Sequence, residues 1–124
     1  MRRVYVIEIA SKWHPALADG LTEGRSCFYV GETGKPVSFQ FQDHLTGRTR
    51  DGPGKNISGV VFRRMRKLQG GVILERGVDA TLRFDLIDVI EPVADRDQAE
   101  ALESRVIDEL CTEGHCVYPE GAGS

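Results

Sequence analysis

Glu103 is the residue of this chain whose type and position most directly suggest chemistry. It lies in a segment, 95–110, whose apolar side chains recur at helical spacing. At about 100° per residue, five of them fall in one arc that also contains Glu103: Ala99, Leu102, Val106, Ile107 and Leu110. A carboxylate inside an apolar stripe is costly unless it is paired, hydrogen-bonded or bound to a metal. Two interpretations stay open: a buried glutamate paired with an arginine or a tyrosine hydroxyl, and a functional carboxylate.

Gln40 and His44 form a second candidate pair. A helix is predicted over 36–46, with Val37, Phe41 and Leu45 as its apolar face. Gln40 and His44 lie one turn apart along the edge of that face. Two polar side chains at such an edge can line a cleft, although a lone helical histidine is more often a surface or boundary residue than a catalyst.

A basic segment follows in an otherwise acidic chain. Residues 47–67 carry seven lysines and arginines against Asp51 alone, while the net charge of the chain is −3. The helix predicted over 57–68 has one apolar side and one basic side. The apolar side is Ile57, Val61, Met65 and Leu68, and the basic side is Arg63, Arg66 and Lys67. Such a face suits a phosphate backbone, although on charge alone a solvated helix surface is the better interpretation.

The cysteines favour no chemistry of their own. Three cysteines are too few for a disulfide framework, and they favour a reducing, cytoplasmic location. Cys111, His115 and Cys116 invite a zinc or thiol hypothesis, but a zinc site needs a fourth ligand and a paired spacing. Residues 115 and 116 would also point to opposite faces of a strand. We interpret the cysteines as buried structural residues.

These residues must be positioned by a small α+β domain. Strands are predicted over 2–10, 26–33 and 82–92, and Asp95 is expected to cap the last helix. We expect a three-stranded, mainly antiparallel sheet flanked by helices, in a single domain over 1–118 with a flexible tail over 119–124. With 124 residues, 40% hydrophobic and 28% charged, the composition is that of a globular protein. No apolar run reaches the length of a membrane span, and the N-terminal run contains Glu8 and lacks the features of a signal peptide.

The order of short motifs resembles the GIY-YIG nuclease superfamily. "VYVIEI" precedes "FYVGETG" by some twenty residues, and a helix ending in "FQDHLTG" follows. Tyr5 matches the tyrosine of the first signature, and Tyr29, Val30 and Gly31 match the second. His44 matches a histidine often found on the family's first helix. Glu103 matches the family's helical glutamate, and the likeness covers 4–118.

The resemblance implies hydrolysis of phosphodiester bonds in nucleic acid, with DNA favoured over RNA. Tyr5 would help to activate a water, and Glu103 would hold a divalent cation, Mg²⁺ or Mn²⁺. Tyr29 and His44 would orient the phosphate or relay protons, and Gly31 would let the chain turn without obstructing the substrate. The expected substrate-binding residues are Gly31, Gln40, Arg48, Arg50, Arg63, Arg66 and Lys67.

One departure from the family leaves activity open. The family carries an arginine where this chain has Gln40, and an amide brings no charge to a phosphate. Arg48 or Arg50 could substitute, the enzyme could be slow or specialised, or the chain could be a module that binds nucleic acid or an acidic protein without cleavage. The sequence nevertheless predicts that Tyr5, Tyr29, His44 and Glu103 converge at one concave site.

Overall fold

A computed structural model describes residues 1–17, 24–47, 60–86 and 92–118 as an α+β fold. The strands are β1 (Arg3–Ile9), β2 (Cys27–Thr33), β3 (Ala80–Leu82) and β4 (Cys116–Tyr118). The helices are α1 (His14–Leu17), α2 (Val37–Thr46), α3 (Val60–Leu68) and α4 (Arg96–Thr112). Among these helices, none has the length and apolar character needed to cross a bilayer.

The sheet has four strands in the order β3-β1-β2-β4, whereas the sequence predicts three. β1 pairs antiparallel with both β2 and β3, but β4 pairs parallel with β2. The expectation of a three-stranded sheet is therefore wrong, and the sheet is mixed. β4 is three residues long, too short for the alternation of apolar and polar residues that identifies a strand.

The third strand also differs from its prediction. β3 occupies Ala80–Leu82 and overlaps the predicted strand over 82–92 at Leu82 alone. A 3₁₀ turn follows at Phe84–Leu86, and residues 87–91 lie outside the described part of the chain. Within the described residues, a 3₁₀ turn at Phe84–Leu86 therefore takes the place of the strand predicted there.

The two central strands carry apolar side chains on both faces, because each face is covered by helices. Odd-numbered residues such as Tyr5, Ile7 and Tyr29 share one core with residues of α2 and α3. Even-numbered residues such as Val6 and Phe28 form a second core with α4. Successive side chains of a strand point to opposite faces, so one hairpin supplies both cores.

α4 follows its sequence pattern closely. The Asp95 carboxylate accepts a hydrogen bond of 2.9 Å from the Gln98 N–H, which confirms the predicted cap. All five residues of the predicted apolar arc are buried. Glu103 is partly buried beside them, as its position in the arc requires.

α2 and α3 match their predictions less completely. Phe41 and Leu45 are buried as expected, and Val37 packs against the same core while staying partly exposed. On α3, Val61 and Met65 are buried, but Leu68 is 56% exposed, so its assignment to the apolar side is wrong. A ring outside the predicted face, Phe62, is fully buried instead. The predicted residue Ile57 lies outside the described residues.

A buried carboxylate that the sequence pattern does not identify fastens the turn before β3. Asp79 is 2% exposed and accepts hydrogen bonds from the Trp13 indole at 3.1 Å and the Glu75 N–H at 2.7 Å. The Lys12 ammonium lies 2.6 Å away. Burial opposes ionisation, but these donors and this cation together hold the pKa of Asp79 below its ordinary value. Asp79 is therefore a structural anion that ties the N-terminal segment to β3.

Candidate active site

Tyr5, Tyr29 and His44 meet in one cluster, as the sequence predicts for these three residues. The Tyr5 hydroxyl lies 2.9 Å from His44 Nε2, within hydrogen-bond distance. The Tyr29 ring meets the His44 ring edge-on at a centroid distance of 4.9 Å, and it lies 6.1 Å from the Tyr5 ring. β1, β2 and α2 each contribute one member, so the cluster exists only in the folded chain.

Gly31 has a different role from the one expected. It lies inside β2 and not in a turn, directly opposite Tyr5 in the antiparallel register. A Cβ atom at this position would lie 2.6 Å from the Tyr5 hydroxyl oxygen and 3.0 Å from the Tyr29 ring. Glycine is therefore needed because the Tyr5 side chain lies across the strand at this point.

His44 is buried and does not line a cleft edge. Its side chain is 2% exposed, because Phe62 of α3 stacks on the imidazole at a centroid distance of 4.7 Å. Burial, helped by the positive charge of Arg66, lowers the pKa of His44 to about 4. The imidazole is therefore neutral at physiological pH, and its Nδ1 has no hydrogen-bond partner in the described part of the chain.

The Tyr5 hydroxyl is strongly held in its protonated form. Burial is the main cause that raises the pKa of Tyr5 well above its usual value, and the neighbouring Tyr29 adds to it. A hydrogen bond from the Gln40 side chain acts in the opposite direction. The Gln40 amide nitrogen also lies 3.4 Å from His44 Nε2. Gln40 thus belongs to the cluster and brings a neutral amide to it.

Glu103 differs from the neighbouring Glu32 and Glu100 because no basic side chain among the described residues pairs with it. Burial, together with the nearby carboxylates of Glu32 and Glu100, raises the pKa of Glu103 to about 7. Arg2 pairs with Glu32, and Arg96 lies 3.2 Å from Glu100. Among the described residues, no ion pair forms to Glu103 itself.

The Glu103 carboxylate fits a site in which one divalent cation is held by a single protein carboxylate. A bound cation would relieve the repulsion that Glu103 meets from its acidic neighbours. Within the described ranges, no three His, Cys, Asp or Glu side chains are grouped around one metal position. Mg²⁺ is commonly bound through one or two carboxylates, with water and substrate phosphate completing its shell. Glu103 alone could therefore supply the protein's share.

The sheet lies between the helix that carries Glu103 and the side chains of the two tyrosines. α4 packs on the even-numbered face, whereas Tyr5 and Tyr29 point to the other face. β4 covers the edge of β2 only from Cys27 to Tyr29. The Glu103 charge is the weakest of the influences that shift the pKa of Tyr5. Convergence of Glu103 with the three aromatic residues at one concave site stays a prediction.

The predicted basic face is divided in two. Arg63 and Lys67 are exposed, but Arg66 is partly buried and turned towards α2. Its guanidinium donates a hydrogen bond to the His44 carbonyl oxygen and lies against Gly47, whose φ of 76° closes the helix. The assignment of Arg66 to the solvent-facing basic side is therefore wrong.

Three further arginines complete the basic segment. Arg48 and Arg50 lie outside the described residues, so the idea that either replaces the missing arginine stays a prediction. Arg64 is exposed on α3 next to Arg63 and extends its basic surface.

Cys27, Cys116 and His115 lie where β2 and β4 meet, and both cysteines pack in the same core as Tyr5 and Tyr29. Cys27 is buried and faces Cys116 in the β2–β4 register, and burial together with Cys116 raises the pKa of Cys27 to about 12. Cys116 is only partly buried and Cys111 is exposed, so the expectation that all three are buried is wrong. His115 Nδ1 accepts a 3.0 Å hydrogen bond from the Ser26 N–H, which joins the start of β2 to β4.

Phe62 is the important residue of the cluster that the sequence pattern does not reveal. Its ring contacts both His44 and Tyr29, the latter edge-on at 5.0 Å. Phe62 directly follows a predicted core position, and two adjacent apolar residues on one helix were the available signal.

The chain matches no protein-family profile, no curated protein and no solved structure.

Proposed function

We propose that this protein is a metal-dependent hydrolase of phosphodiester bonds in nucleic acid, of the GIY-YIG type. The observation that carries the proposal is the 2.9 Å contact between the Tyr5 hydroxyl and His44 Nε2. The resemblance pairs these two residue types at one site, and 39 residues separate them in the chain. Gly31, opposite Tyr5, makes room for this contact, which accounts for the glycine of the second signature.

The hydrogen bond between the Tyr5 hydroxyl and the neutral imidazole of His44 fixes the direction of the phenol. Tyr29 packs against both rings and holds them in place. In this orientation the Tyr5 oxygen can accept a hydrogen bond from an attacking water. Because the pKa of Tyr5 is raised, it acts as a base only when positive charge is brought close to it.

Glu103 would hold the divalent cation. When bound, such a cation supplies positive charge that stabilises the developing phosphorane and leaving oxygen. The edge of β2 beyond Tyr29 has no strand partner on its β4 side within the described residues. We infer that a carboxylate from α4 and a hydroxyl from the opposite face can approach one substrate there.

A second function is favoured by two observations at the same cluster. Tyr5, Tyr29 and His44 are 1%, 1% and 2% exposed, so their polar atoms are closed to substrate in this conformation. Gln40 also occupies the place of the family's arginine without its charge. These features suit a module that binds nucleic acid through the exposed basic residues of α3 and does not cleave it.

A cleavage assay separates the two functions. Labelled single-stranded, duplex and branched DNA and RNA would be incubated with Mg²⁺ or Mn²⁺, with EDTA as the metal-free control. We expect Glu103→Gln and Tyr5→Phe each to lower the cleavage rate at least 100-fold. Glu109→Gln, an exposed change on the same helix, should retain the parent rate. Equal rates in all variants would point to a contaminating nuclease and overturn the proposal.

If no variant cleaves, a nucleic-acid binding assay tests the second function. Charge reversal at Arg63 and Lys67 should weaken nucleic-acid binding and flatten its dependence on salt, because each lost phosphate contact removes counterion release. Salt-dependent binding without cleavage would establish the second function. Absence of both would overturn both.

A further inference from the structure

A cavity of about 500 Å³ lies at the open end of the β1–β2 hairpin, where β1 starts, β2 ends and α2 begins. Its volume is within the range of ligand pockets, about 300–1,000 Å³. The side chains that matter for the argument are Arg3, Thr33, Lys35 and Phe84. None of them belongs to the Tyr5–Tyr29–His44 cluster.

The cavity lies next to the Tyr5–Tyr29–His44 cluster along the same face of the sheet. Arg3 precedes Tyr5 by two residues on the same face of β1, and it pairs with Thr33 in the register that pairs Tyr5 with Gly31. Residues two apart on a strand are separated by about 7 Å. This is close to the spacing of successive phosphates along one nucleic-acid strand, so a ligand in the cavity would lie one step from Tyr5.

The charge of the cavity suits an anion. Of the described residues that form its wall, two are basic and none is acidic. Lys35 is already paired with Asp43. Arg3 is exposed, and within the described ranges it makes no ion pair or side-chain hydrogen bond. Its guanidinium is therefore available to bind a phosphate with two parallel hydrogen bonds.

An exposed aromatic ring forms part of the same wall. Phe84 is 53% exposed and lines the cavity. The neighbouring Arg83 bonds to Asp85 at 2.9 Å and to Glu8 at 2.6 Å, and these contacts fix the turn that carries Phe84. A fixed, exposed ring beside a free guanidinium is a platform on which an unpaired base can stack.

We propose that this cavity binds an unpaired nucleotide next to the phosphodiester that lies at Tyr5. The base stacks on Phe84 and the phosphate binds Arg3. This inference rests on the proposed action on nucleic acid and narrows its substrate to strands with an unstacked nucleotide, such as single strands, overhangs and flaps. A base inside a duplex cannot reach Phe84 without being unpaired.

The test measures the affinity of purified protein for a fluorescein-labelled single-stranded oligonucleotide and for a blunt duplex, with Ca²⁺ in place of Mg²⁺ to limit cleavage. Phe84→Ala should weaken single-strand binding by about 5- to 150-fold. Phe84→Tyr keeps an aromatic face and should bind like the parent, whereas Phe84→Leu keeps only apolar bulk and should bind like Phe84→Ala. Arg3→Gln should weaken single-strand binding and lower its salt slope by about one.

Two matched controls come from the same chain. Phe39→Ala removes an aromatic ring that is 64% exposed and lies outside the cavity wall, and it should not change affinity. Arg105→Gln removes an exposed charge from α4 in the same way. Circular dichroism and a urea midpoint for each variant would show that it is folded.

The outcomes separate this inference from the proposed function. If the parent binds or cleaves nucleic acid and Phe84→Ala binds a single strand as tightly as Phe39→Ala does, the nucleotide site is wrong and the proposed function stands. Equal loss for Phe84→Tyr and Phe84→Ala would also overturn base stacking. A parent that binds neither probe would overturn both.

Discussion

Replacing His44 by phenylalanine should remove a specific pH dependence from the stability of this protein. Phenylalanine keeps a flat ring against Phe62, so the stack is retained while the titrating group is lost. The structure holds the imidazole at 2% exposure, and burial lowers its pKa to about 4 from an ordinary 6.5. The folded state therefore resists a proton that the unfolded chain accepts readily.

The direction of the effect follows from where each state binds its proton. Above pH 6.5 the imidazole is neutral in both states, so it adds no pH dependence. As the pH falls from 6.5 towards 4, the unfolded state gains a proton that the folded state does not, and unfolding becomes easier. Below pH 4 both states are protonated and the loss stops growing.

The size of the effect can be worked from the same two values. A full difference of one bound proton changes the free energy of unfolding by about 1.4 kcal/mol per pH unit. Between pH 7 and pH 5, integration with pKa values of 6.5 and about 4 gives a loss of about 2 kcal/mol from His44. That is a large part of the stability of an ordinary small domain.

Glu103 changes stability in the opposite direction over nearly the same range. Its pKa is raised to about 7 in the folded state, so stability is lost as the pH rises from about 4.5 to 7. The parent alone could therefore show a flat profile. For this reason the measured quantity must be the difference between the parent and the variant.

Urea unfolding followed by circular dichroism at pH 7 and pH 5 gives the required free energies. The loss between these two pH values should be about 2 kcal/mol larger in the parent than in His44→Phe. The partly exposed His14, for which the same substitution can be made, serves as the control, and His14→Phe should keep the parent's difference. If parent and His44→Phe differ by less than about 0.5 kcal/mol, the imidazole is not a buried neutral group and the account of the cluster is wrong.

Three further changes test the site and its supports. Gly31→Ala places a Cβ 2.6 Å from the Tyr5 hydroxyl oxygen, so it should cost about 1–3 kcal/mol in urea unfolding, and a neutral result would mean that the ring moves freely. Gln40→Arg adds a charge beside Tyr5 and should raise single-turnover cleavage with Mg²⁺ at least tenfold, a gain of about 1.4 kcal/mol, and no gain would show that the missing arginine does not limit the site. Arg66→Gln removes the hydrogen bond to the α2 carboxyl end and should cost about 1.5–3 kcal/mol, against about 0.5 kcal/mol or less for the exposed Arg63→Gln; equal costs would return Arg66 to the solvent-facing side.

Elements with strong local signals were predictable from the chain itself. The cap at Asp95 and the buried arc of α4 depend on helical spacing and on one carboxylate bonding a nearby N–H, both of which are local. The central strands were predictable in type because β-branched and aromatic residues are concentrated in them. The partial burial of Glu103 could also be predicted, since its place on the helix is fixed by the residues around it.

The state of the candidate site was decided by contacts between distant segments. His44 and Arg66 each lie at the edge of an apolar helical face, and a helical wheel cannot show whether another element covers that edge. Phe62 of α3 covers the His44 ring, so the histidine is buried. Arg66 donates a hydrogen bond to the His44 carbonyl oxygen in the last turn of α2, so this arginine joins two helices and does not face solvent. β4 likewise exists because β2 offers an edge to pair with, since three residues have little strand preference alone. The sequence by itself thus determined the central strands, α4 and which residues can do chemistry, and packing determined β4 and which of those residues are buried, charged and in contact.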